Sequence, residues 1–184
     1  TTLAYLIANQ LKCNFYKLSA INSGVRDIRD VIDSAKNNEE PSILFIDEIH
    51  RFSKSQQDSL LGSVEQGIIT LIGATTENPS FSVISPLLSR ARVIKLKKLT
   101  DDDLARILEN ALHNDRILKD GEIRFEEGVK ENLVKLGNGD ARRMLNVLEV
   151  SFMLSGDGLI TAERVKEAFE NTMIYYDRKG DRHY

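Results

Sequence analysis

The first half of the chain alternates short apolar runs with segments whose apolar residues recur at helical spacing. The run 43–46 follows Pro41 and ends in Asp47 and Glu48, which is the pattern of a strand buried on both faces of a parallel sheet. The pattern of residues 68–76 predicts a second such strand, which also finishes in polar residues. Helical stripes accompany these strands at 1–11, 25–35 and 53–64. Up to about residue 98, this alternation predicts a three-layer α/β domain with a mainly parallel sheet.

Local signals place several of the element boundaries. Ser23 is expected to cap the helix that begins at Val25, and Ser53 with Gln56 has the spacing of a capping box. The remaining predicted elements are short: strands at 15–18 and 93–96, a loop at 77–81, and a helix at 85–89 that Ser85 caps and Pro86 opens.

The second half of the chain reads as helical throughout. Thr100 and the three aspartates after it form a capped, acidic helix start, and apolar residues then recur at helical spacing as far as Phe169. We therefore predict an α/β domain at 1–98 followed by a small helical domain at 99–174. The tail 175–184 is expected to be a linker, although its aromatic and basic residues also suit contact with a nucleic acid.

Composition narrows the class of protein. The 184 residues carry a formal net charge of -3 and a pI near 5.7, which argues against a surface coated in nucleic-acid-binding charge. The single cysteine, Cys13, allows no internal disulfide and fits a reducing compartment. No apolar stretch approaches the ~20 residues needed to span a membrane.

The candidate chemistry begins at the end of the first buried strand. Open α/β sheets place their ligands at the carboxyl ends of parallel strands, so Asp47 and Glu48 are expected at the rim of a site. In nucleotide hydrolases the first carboxylate of such a pair holds hydrated Mg²⁺, and the second orients and deprotonates the attacking water. The alternative is a buried strand followed by a charged loop.

Polar residues recur at three further places where an ATPase needs them: Thr75 and Thr76 after the next strand, Arg90 and Arg92 around the end of a short helix, and Arg142 at a helix start. With these residues the whole chain resembles the AAA+ ATPases, and most closely the replication-associated recombination protein A (RarA, or MgsA) family, to which the Werner-helicase-interacting ATPases are related. The matching stretches are Asp47-Glu48-Ile49-His50-Arg51-Phe52, Ile72-Gly73-Ala74-Thr75-Thr76-Glu77-Asn78-Pro79-Ser80-Phe81, Leu87-Leu88-Ser89-Arg90-Ala91-Arg92, Gly139-Asp140-Ala141-Arg142 and the tail 176–184.

The resemblance implies ATP and Mg²⁺ as cofactors and a role for each of these residues. Asp47 serves Mg²⁺, Glu48 is the water-activating base, and Thr76 is the first sensor, with Thr75 as the alternative. In the implied site Arg90 is the arginine finger that reaches a neighbouring subunit. The alternatives are that Arg92 is the finger, or that either arginine forms only a surface ion pair. Arg142 is the second sensor. Arg143 is expected to point into solvent, and His50 to be a hydrogen-bonded structural residue, with a relay of the nucleotide state as the alternative.

One part of the family's site is missing from the sequence. A complete site has a glycine-rich loop ending in Gly-Lys-Ser/Thr, and the 184 residues contain none. The opening Thr1-Thr2-Leu3-Ala4 resembles the residues just after that lysine, which makes Thr1 the implied Mg²⁺ ligand and Thr2 an implied phosphate contact. The chain is therefore expected to be a piece truncated ahead of Thr1, where Thr1 frays, and to bind ATP weakly or not at all by itself.

The function implied by the resemblance is that of an ATP-driven remodeller of DNA at stalled replication forks or DNA ends. The implied partners are DNA, replication proteins such as single-strand-binding protein, and further copies of the same chain in a homotetramer built by a C-terminal domain. The implied location is the cytoplasm, in association with the nucleoid. The alternatives are a clamp-loader or branch-migration motor subunit, and an adaptor that does not hydrolyse nucleotide.

Overall fold

Three parallel strands form the central sheet of the first half of the chain: β1 (Asn14–Ser19), β2 (Ser42–Asp47) and β3 (Thr70–Gly73), in the order β1-β2-β3. The structure is a computed structural model that describes residues 1–115, 118 and 123–180, with the backbone alone at 173–180. The chain divides into two compact units, Thr1–Lys95 and Leu96–Tyr184. The predicted α/β class with a parallel sheet is confirmed.

Helices cover both faces of this sheet. On one face, Tyr5 of α1 (Thr2–Leu11) meets the ring of Phe15 at 5.6 Å, and Phe15 stacks on Phe45 at 6.3 Å. The opposite face, which carries Leu44 and Ile46, packs into a core with the apolar stripes of α2 (Val25–Lys36) and α3 (Lys54–Glu65). Alternate side chains of β2 thus pack against helices on opposite faces of the sheet, as expected of a strand buried on both faces.

Two predicted helix boundaries in this unit shift, and one is confirmed. The N-cap of α2 is Gly24 and not Ser23: the Gly24 N–H donates to the Asp27 carboxylate at 2.6 Å, while Ser23 is held in the preceding turn. The capping box of Ser53 with Gln56 is confirmed. Two four-residue helices follow β3: α4 (Pro79–Ser82), inside the predicted loop, and α5 (Ser85–Leu88), capped at Ile84 and not at Ser85.

The predicted strand at 93–96 is wrong. Residues 92–100 form no strand in the described structure, and the side chains of Val93, Ile94 and Leu96 are exposed. Apolar and β-branched residues favour a strand only where a neighbouring strand accepts the hydrogen bonds, and no described strand pairs with this segment. The second core strand is also shorter than predicted, because the N–H groups of Ile68 and Ile69 both bond to the carbonyl of Ser63.

The second unit is mainly helical: α6 (Asp101–Asn114), α7 (Val129–Gly137), α8 (Ala141–Leu154) and α9 (Ala162–Gly180). Its core is built from residues such as Leu104, Leu133, Met144 and Leu148. A two-residue parallel pair, β4 (Arg124–Phe125) with β5 (Leu159–Ile160), corrects the prediction that this half is helical throughout.

The predicted linker at 175–184 continues the backbone of α9 as far as Gly180. Residues 181–184, which close the motif 176–184, lie outside the described residues, so the linker remains a prediction. None of the described helices is both long enough and apolar enough to cross a bilayer.

Candidate active site

The strands of the first unit bring their carboxyl ends to one edge of the sheet. Ser19 pairs with Asp47, and Ile46 pairs with Gly73, so the chain leaves β2 and β3 side by side. The Asp47 side chain is partly buried and makes no hydrogen bond or ion pair among the described residues. A carboxylate in this position, at the edge where α/β sheets bind their ligands, is open to a cation.

Glu48 occupies an unusual backbone conformation immediately after β2. Its φ of 55° and ψ of 43° lie in the left-handed region, which costs a residue with a Cβ on the order of 1–3 kcal/mol. A one-turn 3₁₀ helix, Ile49–Arg51, follows directly. Non-glycine residues held in this region cluster at functional sites, where the surrounding structure enforces the conformation.

Backbone hydrogen bonds enforce it here. The Ala74 N–H donates to the carbonyl of Ile46 at 2.9 Å, and the Ile49 N–H donates to the carbonyl of Ala74 at 3.0 Å. A Cβ built on Gly73 would lie 3.0 Å from the Ile49 side chain, a contact so tight that a larger residue would force Ile49 to shift, so glycine favours this close approach of the two segments. The segments that follow β2 and β3 are thereby tied together on either side of Glu48.

His50 joins the same two segments through its side chain. Its Nδ1 lies 2.9 Å from Thr75 Oγ1, and its Nε2 lies 3.2 Å from Glu48 Oε2 and 3.8 Å from Glu77 Oε1. The imidazole is 10% exposed and the Glu48 side chain 29%. We call Asp47, Glu48, His50 and Thr75 the carboxylate edge. The expectation that His50 is hydrogen-bonded is confirmed.

The two threonines after β3 differ in what they contact. Thr75 Oγ1 is bonded to His50 and also accepts the Glu77 N–H at 3.0 Å, so its hydroxyl is engaged within the loop. Thr76 is exposed, and its hydroxyl has no hydrogen-bond partner in the part of the chain that the structure describes. Thr76 is the more open of the two toward a ligand, and its role as first sensor stays a prediction.

Arg90 lies just beyond α5 and is paired within its own unit. Its guanidinium lies 2.6 Å from Glu65 Oε1 and donates to the carbonyl of Pro86 at 2.9 Å, and both charged side chains are more than 40% exposed. Exposed pairs of this kind are weak, on the order of 0–1 kcal/mol. Arg92 is exposed and forms no ion pair with the described residues. The choice between these arginines as the finger stays open.

Arg142 and Arg143 open α8 in the second unit. Asp140 caps this helix by accepting the backbone N–H groups of both arginines. The Arg142 side chain is exposed, whereas the guanidinium of Arg143 lies 5.0 Å from the centre of the Phe169 ring. The prediction that Arg143 is solvated is therefore wrong, since its side chain packs in a cation–π contact.

Thr1 and Thr2 begin the first helix. Thr1 is the N-cap of α1, and its carbonyl accepts the Tyr5 N–H at 3.1 Å; both threonines are exposed. A helix start of this kind suits an anion, because its first N–H groups have no partner within the helix. The implied contacts of Thr1 with Mg²⁺ and of Thr2 with phosphate remain predictions.

The residues present fit a magnesium nucleotide at the carboxylate edge. Mg²⁺ prefers oxygen ligands and one or two carboxylates alongside water and phosphate, and Asp47 offers an unshared carboxylate for this purpose. Sequence reasoning missed Ala74, which contributes through its backbone groups, and Glu77, which contributes its N–H to Thr75 and its carboxylate 3.8 Å from His50. Only Gly73 offered a signal for this arrangement, as a glycine at the end of a buried strand.

Comparison with known proteins assigns the class. The family model "ATPase family associated with various cellular activities (AAA)" matches residues 1–99, and the model "AAA C-terminal domain" matches residues 119–184. The chain therefore belongs to the AAA family of ATPases.

Among its relatives are proteins that act in recombination. The chain is 43% identical over its whole length to "Replication-associated recombination protein A" of Coxiella burnetii and 42% identical to that of Escherichia coli K12, and in both cases it covers 43% of the relative. It is 42% identical to "ATPase WRNIP1" of Dictyostelium discoideum, covering 96% of the chain and 20% of the relative. The predicted RarA resemblance is confirmed, for a chain that spans less than half the length of these relatives.

The fold is also that of a solved motor domain. The Thermotoga maritima RuvB Holliday junction branch migration motor superposes with a TM-score of 0.72 at 28% identity, over 92% of this chain and 56% of that one.

Proposed function

We propose that the full-length protein containing this chain is an ATP-driven AAA+ remodeller of DNA. It would act at stalled replication forks or DNA ends, in replication-coupled repair and recombination. The observation that carries this proposal is the carboxylate edge. Asp47 is open to a cation at the end of β2, and Glu48 is held beside it in a left-handed conformation by the end of β3. Identities of 42–43% to replication-associated recombination proteins support the DNA role.

Each proposed residue has a limited chemical task. Mg²⁺-bound ATP, when present, supplies the reactive γ-phosphoryl group with its charge partly neutralised. Asp47, with Thr1, would hold the metal; Glu48 accepts a proton from water, and Thr76 orients that water. Arg90 would offset developing charge in the site of a neighbouring subunit, and Arg142 would contact the nucleotide from the helical unit.

The proposed partners are those that the resemblance of the sequence to the RarA family implies. They are DNA as single strands, ends or forks, replication proteins such as single-strand-binding protein, and further copies of the protein in a homo-oligomer, which we propose to be a tetramer. The proposed location is the cytoplasm, close to the nucleoid. A second candidate, a branch-migration motor, is favoured by the superposition on RuvB, although the identity there is lower, at 28%.

The test of the hydrolytic role is Glu48→Gln in the full-length protein. Loss of the general base should lower kcat about 10²- to 10⁴-fold while ATP binding is retained, because the amide cannot take a proton. Glu39→Gln is the matched control, since Glu39 is an exposed carboxylate in the loop before β2. Turnover and equilibrium ATP binding are measured for both, and near-normal turnover in Glu48→Gln would remove it as the base.

Two further measurements test the wider proposal. ATPase activity of the full-length protein should rise with single strands, blunt duplexes or forks, and no response to any of them would remove the DNA role. An adaptor would show no hydrolysis at all. The 184-residue chain by itself should show no turnover, because it contains no Gly-Lys-Ser/Thr to cradle the phosphates.

A further inference from the structure

A line of close polar contacts runs from the backbone after β3 to the carboxylate of Glu48: two hydrogen bonds lead to His50, and a 3.2 Å contact joins His50 to Glu48. The Glu77 N–H donates to Thr75 Oγ1 at 3.0 Å, Thr75 Oγ1 lies 2.9 Å from His50 Nδ1, and His50 Nε2 lies 3.2 Å from Glu48 Oε2. These residues converge from two chain segments, separated by about 25 positions. The imidazole is nearly buried, so little water competes for its two nitrogens.

Simple bonding rules give this line a direction. A carboxylate only accepts, so the 3.2 Å contact with Glu48 favours the tautomer of His50 that carries its hydrogen on Nε2. In a neutral imidazole Nδ1 is then an acceptor, and it takes the hydroxyl hydrogen of Thr75. Thr75 Oγ1 keeps lone pairs for the Glu77 N–H. In this tautomer the donors along the line are the Glu77 N–H, the Thr75 O–H and the His50 Nε2–H, in the order that leads to Glu48.

We propose that His50 is a positioning residue: it holds the proposed base Glu48 through Nε2 and takes its own orientation from Thr75 at the end of β3. This inference rests on the proposed function of Glu48 as base. His50 occupies Glu48 Oε2, and Oε1 has no hydrogen bond or ion pair among the described residues, which leaves that oxygen for the attacking water. A movement of residues 75–77 would therefore change the position of the Glu48 carboxylate through His50.

The surrounding backbone makes this link rigid. Ala74, next to Thr75, is bonded to both Ile46 and Ile49, the residues that bracket Asp47 and Glu48. The left-handed backbone at Glu48 limits its side chain further. With both segments held, the imidazole sets the position of the carboxylate, since a general base must lie within about 2.6–3.2 Å of the proton that it removes.

The test uses the different reach of two amides at position 50 in the full-length protein. The terminal amide of His50→Gln falls near the place of Nε2 and can donate to Glu48. The shorter His50→Asn reaches only the place of Nδ1 and Thr75. We expect His50→Ala and His50→Asn to lower kcat about 10- to 100-fold, the value of a hydrogen bond to a charged group, and His50→Gln to recover most of that loss. KM for ATP should change less than threefold in all of them.

A second pair of variants tests the orienting hydroxyl. Thr75→Val keeps the shape and removes the donor to Nδ1, and we expect kcat to fall about 3- to 10-fold, in line with the loss of a neutral hydrogen bond. Thr75→Ser restores the hydroxyl and should recover turnover relative to Thr75→Val. In a His50→Ala background, Thr75→Val should cost almost nothing more, because the line is already broken.

Defined results would overturn the inference. They are a kcat within twofold of wild type in His50→Ala, equal losses in His50→Gln and His50→Asn, or additive losses for position 75 and position 50. A fall in thermal stability that tracks kcat across all the variants would make His50 merely structural. Glu48→Gln, assayed in parallel, separates the two ideas. If it is inactive while the His50 variants are normal, only the positioning role fails; if it is active, the proposed base fails.

Discussion

The carboxylate edge and the candidate arginines are built in opposite ways. The edge is rigid: two strands deliver its residues, backbone bonds through Ala74 tie them together, and His50 joins their side chains. Arg90, Arg92 and Arg142 lie in loops or at helix ends, and their side chains are exposed. Arg90 makes only an exposed ion pair with Glu65. Groups that act within one subunit can be fixed by its sheet, whereas groups proposed to reach a neighbour or to report on a ligand must remain free to meet it.

The strongest test of this contrast is Arg90→Ala in the assembled full-length protein. Loss of an arginine finger should lower kcat ~10³-fold or more, because no other charge replaces it in the transition state. Arg92→Ala is made in parallel, and the variant with the larger loss identifies the finger. Glu65→Gln should have little effect, since the exposed pair that it breaks is worth on the order of 0–1 kcal/mol.

Mixing subunits shows whether the finger acts between them. Arg90→Ala subunits keep an intact Glu48, and Glu48→Gln subunits keep an intact arginine. Combined, they should recover part of the activity that each lacks. If the mixture stays as inactive as its components, Arg90 does not serve a neighbouring site.

Arg142→Ala is expected to have the next largest effect. A charge-assisted contact with the nucleotide is worth about 1.5–3 kcal/mol, so kcat/KM for ATP should fall about 10- to 150-fold with little change in stability. Arg143→Ala is the matched control: it removes the contact with Phe169, so it should lower the stability of the helical unit instead. Equal kinetic losses in the two variants would contradict a specific role for Arg142.

Rigidity of the carboxylate edge is tested by Gly73→Ala. The added Cβ would lie 3.0 Å from Ile49, so overpacking should lower the free energy of unfolding by about 1–3 kcal/mol. Gly62→Ala is the control within the same unit, because a Cβ there meets nothing within 4 Å and alanine favours the helix interior by about 1 kcal/mol. Denaturant unfolding of the 184-residue chain measures both, and a neutral Gly73→Ala would show that the edge can yield.

The smallest expected effect is on the stability of the folded state, through the carboxylate of Asp103. Hydrogen bonds from Thr100 hold the pKa of Asp103, at the start of α6, below its ordinary value. A pKa lowered by folding stabilises the folded state above the ordinary carboxyl pKa, and that contribution is lost as the pH falls through the lowered value. Asp103→Asn should therefore reduce the urea midpoint at pH 7 and approach wild type near pH 3. Asp58→Asn, at an exposed carboxylate on α3, should show no such convergence.

Local sequence patterns were enough to predict the elements that carry the proposed chemistry. The apolar run 43–46 predicted a strand buried on both faces, because only a central strand can hide consecutive apolar side chains, and Asp47 and Glu48 at its end predicted a site. Ser53 and Gln56 likewise predicted their helix start, since a capping box needs only local spacing. Patterns of this kind depend on near neighbours in the chain.

Features that depend on residues distant in the sequence became visible only in the folded structure. Residues 93–96 have the composition of a strand, yet they form none, because a strand needs a neighbouring strand to bond with. Arg143 looked like a solvated residue until α9 brought Phe169 against it. The link between His50 and Thr75 exists because β2 and β3 end side by side, and the left-handed turn at Glu48 is held by Ala74. These partners lie far apart in the sequence, so no local pattern predicts their contact. The contact forms only when the sheet folds.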